Sequence, residues 1–221
     1  MERPESFNFE NGEKAALPFA KAEYEARLAK LRGLMGDLGL DAVLFTSYHN
    51  IAYYSGFLYC SFGRPYACVV TQNNSTTVSA NIDGGQPWRR SAHSNLVFTD
   101  WKRDNFWRAV KSLVGKTRRL GIESDHMTLA AREKLGEFLG AVDTVDVAPA
   151  CMRHRMIKSV AEIALIREGA RIADIGGAAI AAAIGEGTRE IDVAIAGRDA
   201  MELEIARAFP QSELRDTWVW F

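Results

Sequence analysis

A chain of 221 residues, 48% hydrophobic and 25% charged, is long enough to bury about 70% of the surface its unfolded form exposes and needs no staples to do so. Its net charge of -1 leaves no electrostatic footprint for nucleic acid or an anionic membrane surface. No stretch is long enough to span a bilayer, MERPESFNFENGEK is too polar for a signal peptide, and Cys60, Cys68 and Cys151 lack the paired spacing of a zinc or redox site, so the chain reads as cytoplasmic with free buried thiols.

Taken in order, residues 1–19 read as a polar, partly ordered lead-in. From Lys21, the positions Tyr24, Leu28, Leu31, Met35 and Leu38 alternate spacings of four and three, the apolar face of a helix that Gly39 stops. Asp41–Thr46 is an apolar strand. Ser47–Ala67, SYHNIAYYSGFLYCSFGRPYA, then reads as one long connection at that strand's end. Such connections carry binding groups more often than strands do, because strand side chains are committed to packing.

Tyr66–Thr71 and Thr76–Ala80 read as a hairpin around the Asn73-Asn74 turn, which also accounts for the two overlapping glycosylation triplets there. Asn81–Gln86 is a Gly-rich turn, Trp88–His93 the start of a short helix and Leu96–Thr99 a strand. Asp104 is placed to cap a helix with Phe106, Val110, Leu113 and Val114 on its apolar side, ended by Gly115. Leu120–Glu123 is a strand, Thr128–Leu139 a helix and Thr144–Val147 a last strand. Strands alternating with helices define an α/β domain, and a hairpin among helical crossovers makes its sheet mixed.

Pro149–Ser159 reads as a boundary, dividing the chain into domains 1–155 and 156–221. Ser159-Val160-Ala161-Glu162 is a capping box, after which Ile163, Ile166, Ala170, Ala173, Gly177, Ile180 and Ile184 keep a four-three rhythm. The small residues in this stripe admit close approach of another backbone. Gly185–Thr188 is a turn and Arg189–Ala208 a second helix. Leu214–Phe221, LRDTWVWF, reads as a strand with large apolar rings. Exposed apolar edges invite aggregation, so the chain is expected to be truncated.

The aromatic connection offers the best binding candidates. Most of its tyrosines read as filling the domain's floor. Phe62-Gly63-Arg64-Pro65 differs: Gly63 permits a left-handed backbone, Pro65 stiffens the chain after it, and the Arg64 guanidinium is a planar fork that suits a carboxylate. Glu123-Ser124-Asp125-His126 gathers two carboxylates and an imidazole, but at a strand-to-helix junction these read as caps and turn residues. His49 reads as structural, and His93 and His154 have no partner that spacing supplies. Gly176-Gly177 falls within a helix stripe and is no phosphate loop.

These residues carry a resemblance. SYHNIAYYSGFLYCSFGRPYA, SANIDGGQPWRR, TDWKRDN and ACMRHRMIKSVAEIALIREGARIADIGGAA resemble the creatinase and aminopeptidase P family over residues 23–221. Asn50-Ile51-x-Tyr53-x-x-Gly56 and the Arg155–Glu162 run are shared with the wider family. The Cys60–Ala67 and Asp83–Arg90 runs are similar to its creatinase branch.

The resemblance implies an N-terminal α/β domain followed by the start of an α+β pita-bread domain in a homodimer. It implies hydrolysis of creatine to sarcosine and urea without a cofactor or metal. Phe62 and Arg64 would reach into the partner subunit's site, Arg64 gripping the substrate carboxylate and Phe62 walling the pocket. The family's catalytic histidine, carboxylates and metal ligands would fall after Phe221, so no catalytic or metal residue is assigned in this chain. A proline-peptidase-like or other amidohydrolase activity of the same family, or a non-catalytic binding or dimerisation module, are the alternative readings.

Overall fold

The computed structural model of the protein describes residues 3–58, 63–83 and 85–212. It divides into two compact units, 1–157 and 158–221. The first is built on a seven-stranded sheet in the order β1-β5-β4-β3-β2-β6-β7. The strands are β1 (Ser6–Phe7), β2 (Ala42–Phe45), β3 (Ala67–Thr71), β4 (Ser75–Ala80), β5 (Ser94–Phe98), β6 (Arg119–Ile122) and β7 (Asp143–Asp146). β2, β4, β5, β6 and β7 run one way, β3 and β1 the other. The sheet is mixed, as the hairpin among crossovers requires.

Alternation along the central strands divides two cores. Val43, Phe45, Cys68 and Val70 pack with α1 (Lys21–Leu38), α2 (Tyr48–Ser55) and α6 (Ala148–Met156), which contribute Leu28, Leu31, Met35, Ile51, Tyr54 and Cys151. Ala42, Leu44, Ala67 and Val69 face α4 (Asn105–Val114) and α5 (Leu129–Leu139), with Phe106, Ala109, Val110 and Leu135. Each residue of β2 is therefore buried on one side or the other, and so its sequence is a continuous apolar run and not an alternating one.

The helix limits follow local chemistry. α1 ends where Gly39 turns left-handed at φ 64°, and the Leu40 amide donates back to the Met35 carbonyl at 2.8 Å. The β3–β4 hairpin closes through Thr71 and Asn74: the Thr71 amide donates to the Asn74 carbonyl, and the Asn74 amide to Thr71 Oγ1.

The structure departs from sequence expectation in five places. Ser47–Ala67 is not one connection, since Tyr48–Ser55 folds as α2, with Ser47 Oγ accepting from the Asn50 amide at its start. The lead-in is tied down: β1 pairs with β5, and Lys14 Nζ donates to the carbonyls of Trp88, Ser91 and His93 at 2.5, 2.9 and 2.8 Å. α3 (Gln86–Arg89) precedes the expected Trp88–His93 helix because β5 already begins at Ser94. Part of the Pro149–Ser159 boundary is helical, as α6, with Pro149 in its first turn where no amide partner is needed. Asp104 occupies the N-cap position of α4 in a left-handed conformation, φ 66°, and makes no side-chain cap. Its carboxylate instead accepts from Lys134 Nζ at 3.2 Å.

The second unit is a helical hairpin, α7 (Val160–Ala183) and α8 (Glu190–Ala208), joined by a turn in which the Thr188 amide donates to the Gly185 carbonyl. Its capping box is complete, with the Ser159 amide donating to Glu162 Oε2 at 2.8 Å and the Glu162 amide to Ser159 Oγ at 3.1 Å. Gly176 and Gly197 mark the helix crossing. A methyl group on Gly176 would sit 2.6 Å from Met201 Cγ, and one on Gly197 2.5 Å from Ile180 Cγ1. Arg171 joins the helices to Glu204, which also binds Arg207. The Leu214–Phe221 strand expected from sequence lies outside the described residues.

Candidate functional site

The carboxyl ends of β2, β4, β5, β6 and β7 share one end of the sheet with the start of β3, as the registers Phe45↔Cys68, Ala67↔Val78 and Ala80↔Phe98 require. In open α/β sheets this is the end where connections are free to bind ligands. It carries the start of α2, the approach to β3, the 81–83 turn after β4 and the connection after β5.

Arg64 stands on the approach to β3. Gly63 before it is left-handed at φ 74° with open space where a side chain would be. One terminal nitrogen of Arg64, Nη2, lies 3.3 Å from Asp100 Oδ2, with the side chains 46% and 41% exposed. The guanidinium is thus held yet reachable by a solute. Two residues on, Tyr66 is buried and donates through Oη to Asp83 Oδ2. This bond joins the Cys60–Ala67 and Asp83–Arg90 runs, which are 17 residues apart between bonded partners. The second run is in turn fixed by the lead-in. Gly85, left-handed at φ 81°, packs so tightly on Phe9 and Asn11 that an added methyl would lie 2.8 and 2.7 Å from them, and Lys14 sits 4.2 Å over the Trp88 ring. Phe62, the other expected substrate contact, lies outside the described residues, as does Cys60.

The remaining candidates of this end are structural. Glu123 is 1% exposed. Its Oε2 accepts from the Thr46 and Ser47 amides at 2.6 and 2.9 Å, and its Oε1 from Asn50 Nδ2 at 2.6 Å and from the Ser47 hydroxyl. It is a carboxylate placed at the amino end of α2, where free amides and the helix dipole favour negative charge. His126 Nδ1 lies 3.0 Å from Thr46 Oγ1, and Asp146, at the end of β7, accepts from the Ser124 and Ala148 amides. These are the cap and turn roles their positions indicate.

The rings of the connection mostly fill the core. Tyr54 stacks on Phe45 at 4.9 Å between centroids, and Phe57 meets Tyr66 at 5.9 Å. Tyr48 alone of the described tyrosines is exposed, at 43%, set edge-on to His49 at 5.9 Å. His154 does have partners: Tyr54 Oη lies 3.0 Å from its Nδ1, and Tyr53 Oη donates to its carbonyl. Burial pushes the Tyr54 hydroxyl well up and the Cys151 thiol beside it up to about 11. Burial likewise raises Cys68 to about 12, so both described thiols are protonated and unreactive at neutral pH.

Sequence reasoning missed three side chains of this unit: Asp83, Asp100 and Arg27. Arg27 is buried between rings, its guanidinium carbon 4.4 Å from the Phe19 centroid and 4.3 Å from that of Tyr53, while donating to the Tyr53 carbonyl. Asp83 lies within a run that sequence reasoning singled out, but its pairing with Tyr66 depends on strand register. Among the described residues no three His, Cys, Asp or Glu side chains cluster as metal ligands, and no helix is long and apolar enough to cross a membrane.

The arrangement is an α/β domain whose strand end carries a partly exposed guanidinium, Arg64, paired with Asp100. The chain belongs to the Creatinase/Prolidase N-terminal domain family, whose pattern matches residues 27–157. It is 56% identical to the creatinase of Bacillus sp. (strain B-0618) over 214 residues, 95% of this chain and 52% of that protein. It is similar in structure to the prolidase of Pyrococcus horikoshii OT3, with TM-score 0.66 and 24% identity over 81% of this chain and 49% of that one. The Creatinase/Prolidase N-terminal domain of an X-Pro dipeptidase from Streptococcus pyogenes matches with TM-score 0.52 and 15% identity, covering 57% of this chain and 97% of the domain. At these identities the two structures speak to fold alone. The chain spans about half the length of the curated relatives it matches.

Proposed function

We propose that this chain is the front portion of a cytoplasmic, homodimeric creatinase that hydrolyses creatine to sarcosine and urea. The observation that carries the reading is the 56% identity to a creatinase across 95% of the chain. In this reading unit 158–221 begins a pita-bread catalytic domain, and the groups that move protons belong to residues C-terminal to Phe221.

The chemistry sets the division of labour. Water adds to the guanidinium carbon of creatine, the bond from that carbon to the sarcosine nitrogen breaks, and the nitrogen takes a proton as urea departs. Resonance deactivates that carbon, so the substrate must be held accurately while one nitrogen is protonated or twisted. Arg64 supplies the holding: its planar fork donates two charge-assisted bonds to the carboxylate at the far end of creatine. Phe62 would wall the pocket beside it. In a homodimer both would serve the partner subunit's site.

Urea release from creatine by the full natural gene product, with and without added divalent metal, tests the reaction. Metal-independent release supports it, and none under either condition removes it. Arg64→Ala in that protein is expected to raise KM for creatine about 10- to 150-fold, the equivalent of a charge-assisted hydrogen bond of about 1.5–3 kcal/mol. An unchanged KM would take Arg64 out of the site.

A further inference from the structure

We propose that Asp100 is the positioning residue for Arg64, setting the guanidinium at the angle from which it receives the substrate carboxylate. This rests on the reading of Arg64 as a substrate-binding group. The case begins with a contrast between the two partners of the ion pair. Arg64 stands on a connection after left-handed Gly63, where nothing lies within 4 Å of a would-be side chain. A connection of this kind holds a long side chain only loosely, and arginine loses more rotamer freedom than most residues when fixed.

Asp100 has the opposite setting. It follows Thr99, which is buried and bonded through every polar group. The Thr99 amide donates to the Glu5 carbonyl at 3.0 Å and its hydroxyl to the Pro4 carbonyl at 2.8 Å, while Asn105 Nδ2 donates to the Thr99 carbonyl and to its Oγ1, both at 3.0 Å. The residue before Asp100 thereby ties together the end of β5, the segment leading into β1 and the start of α4. A carboxylate on a fixed platform faces a cation on a looser one.

The contact geometry is what positioning requires. The shortest approach is from Asp100 Oδ2 to the terminal nitrogen Nη2, an ion pair at 3.3 Å. A guanidinium offers five donors on three edges, so a carboxylate drawn to one terminal nitrogen biases the direction of the group and leaves donors for a second partner. Both side chains are close to half exposed, so the pair is worth too little to compete with a two-bond substrate carboxylate. Asp100 therefore aims the group and does not block it.

The test is a double-mutant cycle in the full natural gene product, read as KM and kcat for creatine. Asp100→Asn is expected to raise KM about two- to five-fold, the range of a half-exposed ion pair, with kcat held. Asp100→Glu is expected to recover part of the loss, and Asp100→Asn added to Arg64→Ala to change nothing further. An unchanged or lowered KM in Asp100→Asn, or an equal rise in the Arg64→Ala background, overturns the proposal. If Arg64→Ala itself leaves KM unchanged, the substrate-binding reading fails and a second measurement still decides the pairing. In the 221-residue chain labelled with 15N-arginine, the Arg64 Nε–H resonance, assigned by its loss in Arg64→Lys, is expected to move to the position of free surface arginines in Asp100→Asn, while the other arginine signals stay. A resonance that does not move overturns the proposal regardless of activity.

Discussion

Four donors converge on the Glu123 carboxylate, and two of them are backbone amides that cannot turn away. Thr46 and Ser47 present backbone amides to one oxygen, while Asn50 and the Ser47 hydroxyl address the other. In Glu123→Ala the Thr46 and Ser47 amides both lose their acceptor. Buried donors left without an acceptor cost about 1–3 kcal/mol each, so the variant is expected to lose at least about 2 kcal/mol. Urea unfolding would read this as a lower midpoint with an unchanged slope; an unmoved midpoint would show that the network is dispensable. Asp41 makes a weaker, exposed version of the same contact. Its Oδ2 accepts from the Arg118 and Arg119 amides at 2.8 and 3.0 Å, which holds its carboxyl below the ordinary value. A folded-state pKa below the unfolded one gives stability that is present above about pH 3.9 and lost as pH falls through the folded value. The stability difference between the natural protein and Asp41→Asn is therefore expected at neutral pH and should vanish in acid. A difference independent of pH would assign it to packing.

At the scale of elements, the crossing of α7 and α8 is set by Gly176 and Gly197 together. Each occupies a place where an added carbon would meet the other helix at 2.5–2.6 Å. Gly176→Val is expected to destabilise the hairpin by about 1–3 kcal/mol, the usual cost of overpacking, seen as an earlier loss of helical circular dichroism on heating. The same variant at Gly169, where nothing lies within 4 Å, is the control and should be nearly neutral; equal effects would mean helix propensity and not the crossing decides. Such elements were legible in the sequence because their signals are local. The four-three rhythm of α1, the glycine that ends it and the capping box of α7 each depend on a few adjacent residues. α2 was hidden because Tyr48–Ser55 has rings where a helix usually shows a polar face, and its serine cap is completed by Glu123, 76 residues away. The candidate site was legible only in part. Arg64 stood out by chemistry, whereas Asp100 reaches it, and Asp83 reaches Tyr66, only through strand register and the parallel β4–β5 pairing, which no spacing along the chain encodes.

At the scale of the molecule, the two units differ in how much apolar surface each covers by itself. Residues 1–157 contain both cores, one on each face of a seven-stranded sheet. A domain of that size covers about 68–70% of its unfolded surface, enough to fold alone. Among the described residues the helical hairpin has no comparable interior: Val160 is 86% exposed, Leu203 73% and Ile184 68%, and two helices with one shared face bury too little to offset chain entropy. Expressed separately, residues 1–157 are therefore expected to unfold in a single cooperative transition in urea. Residues 158–221 are expected to be largely unfolded when dilute, or helical only as they self-associate at higher concentration. Circular dichroism at several concentrations separates these outcomes. A cooperative, concentration-independent transition in the 158–221 fragment would mean that the hairpin needs no further covering, and a first unit that melts without cooperativity would mean that its two cores depend on the second.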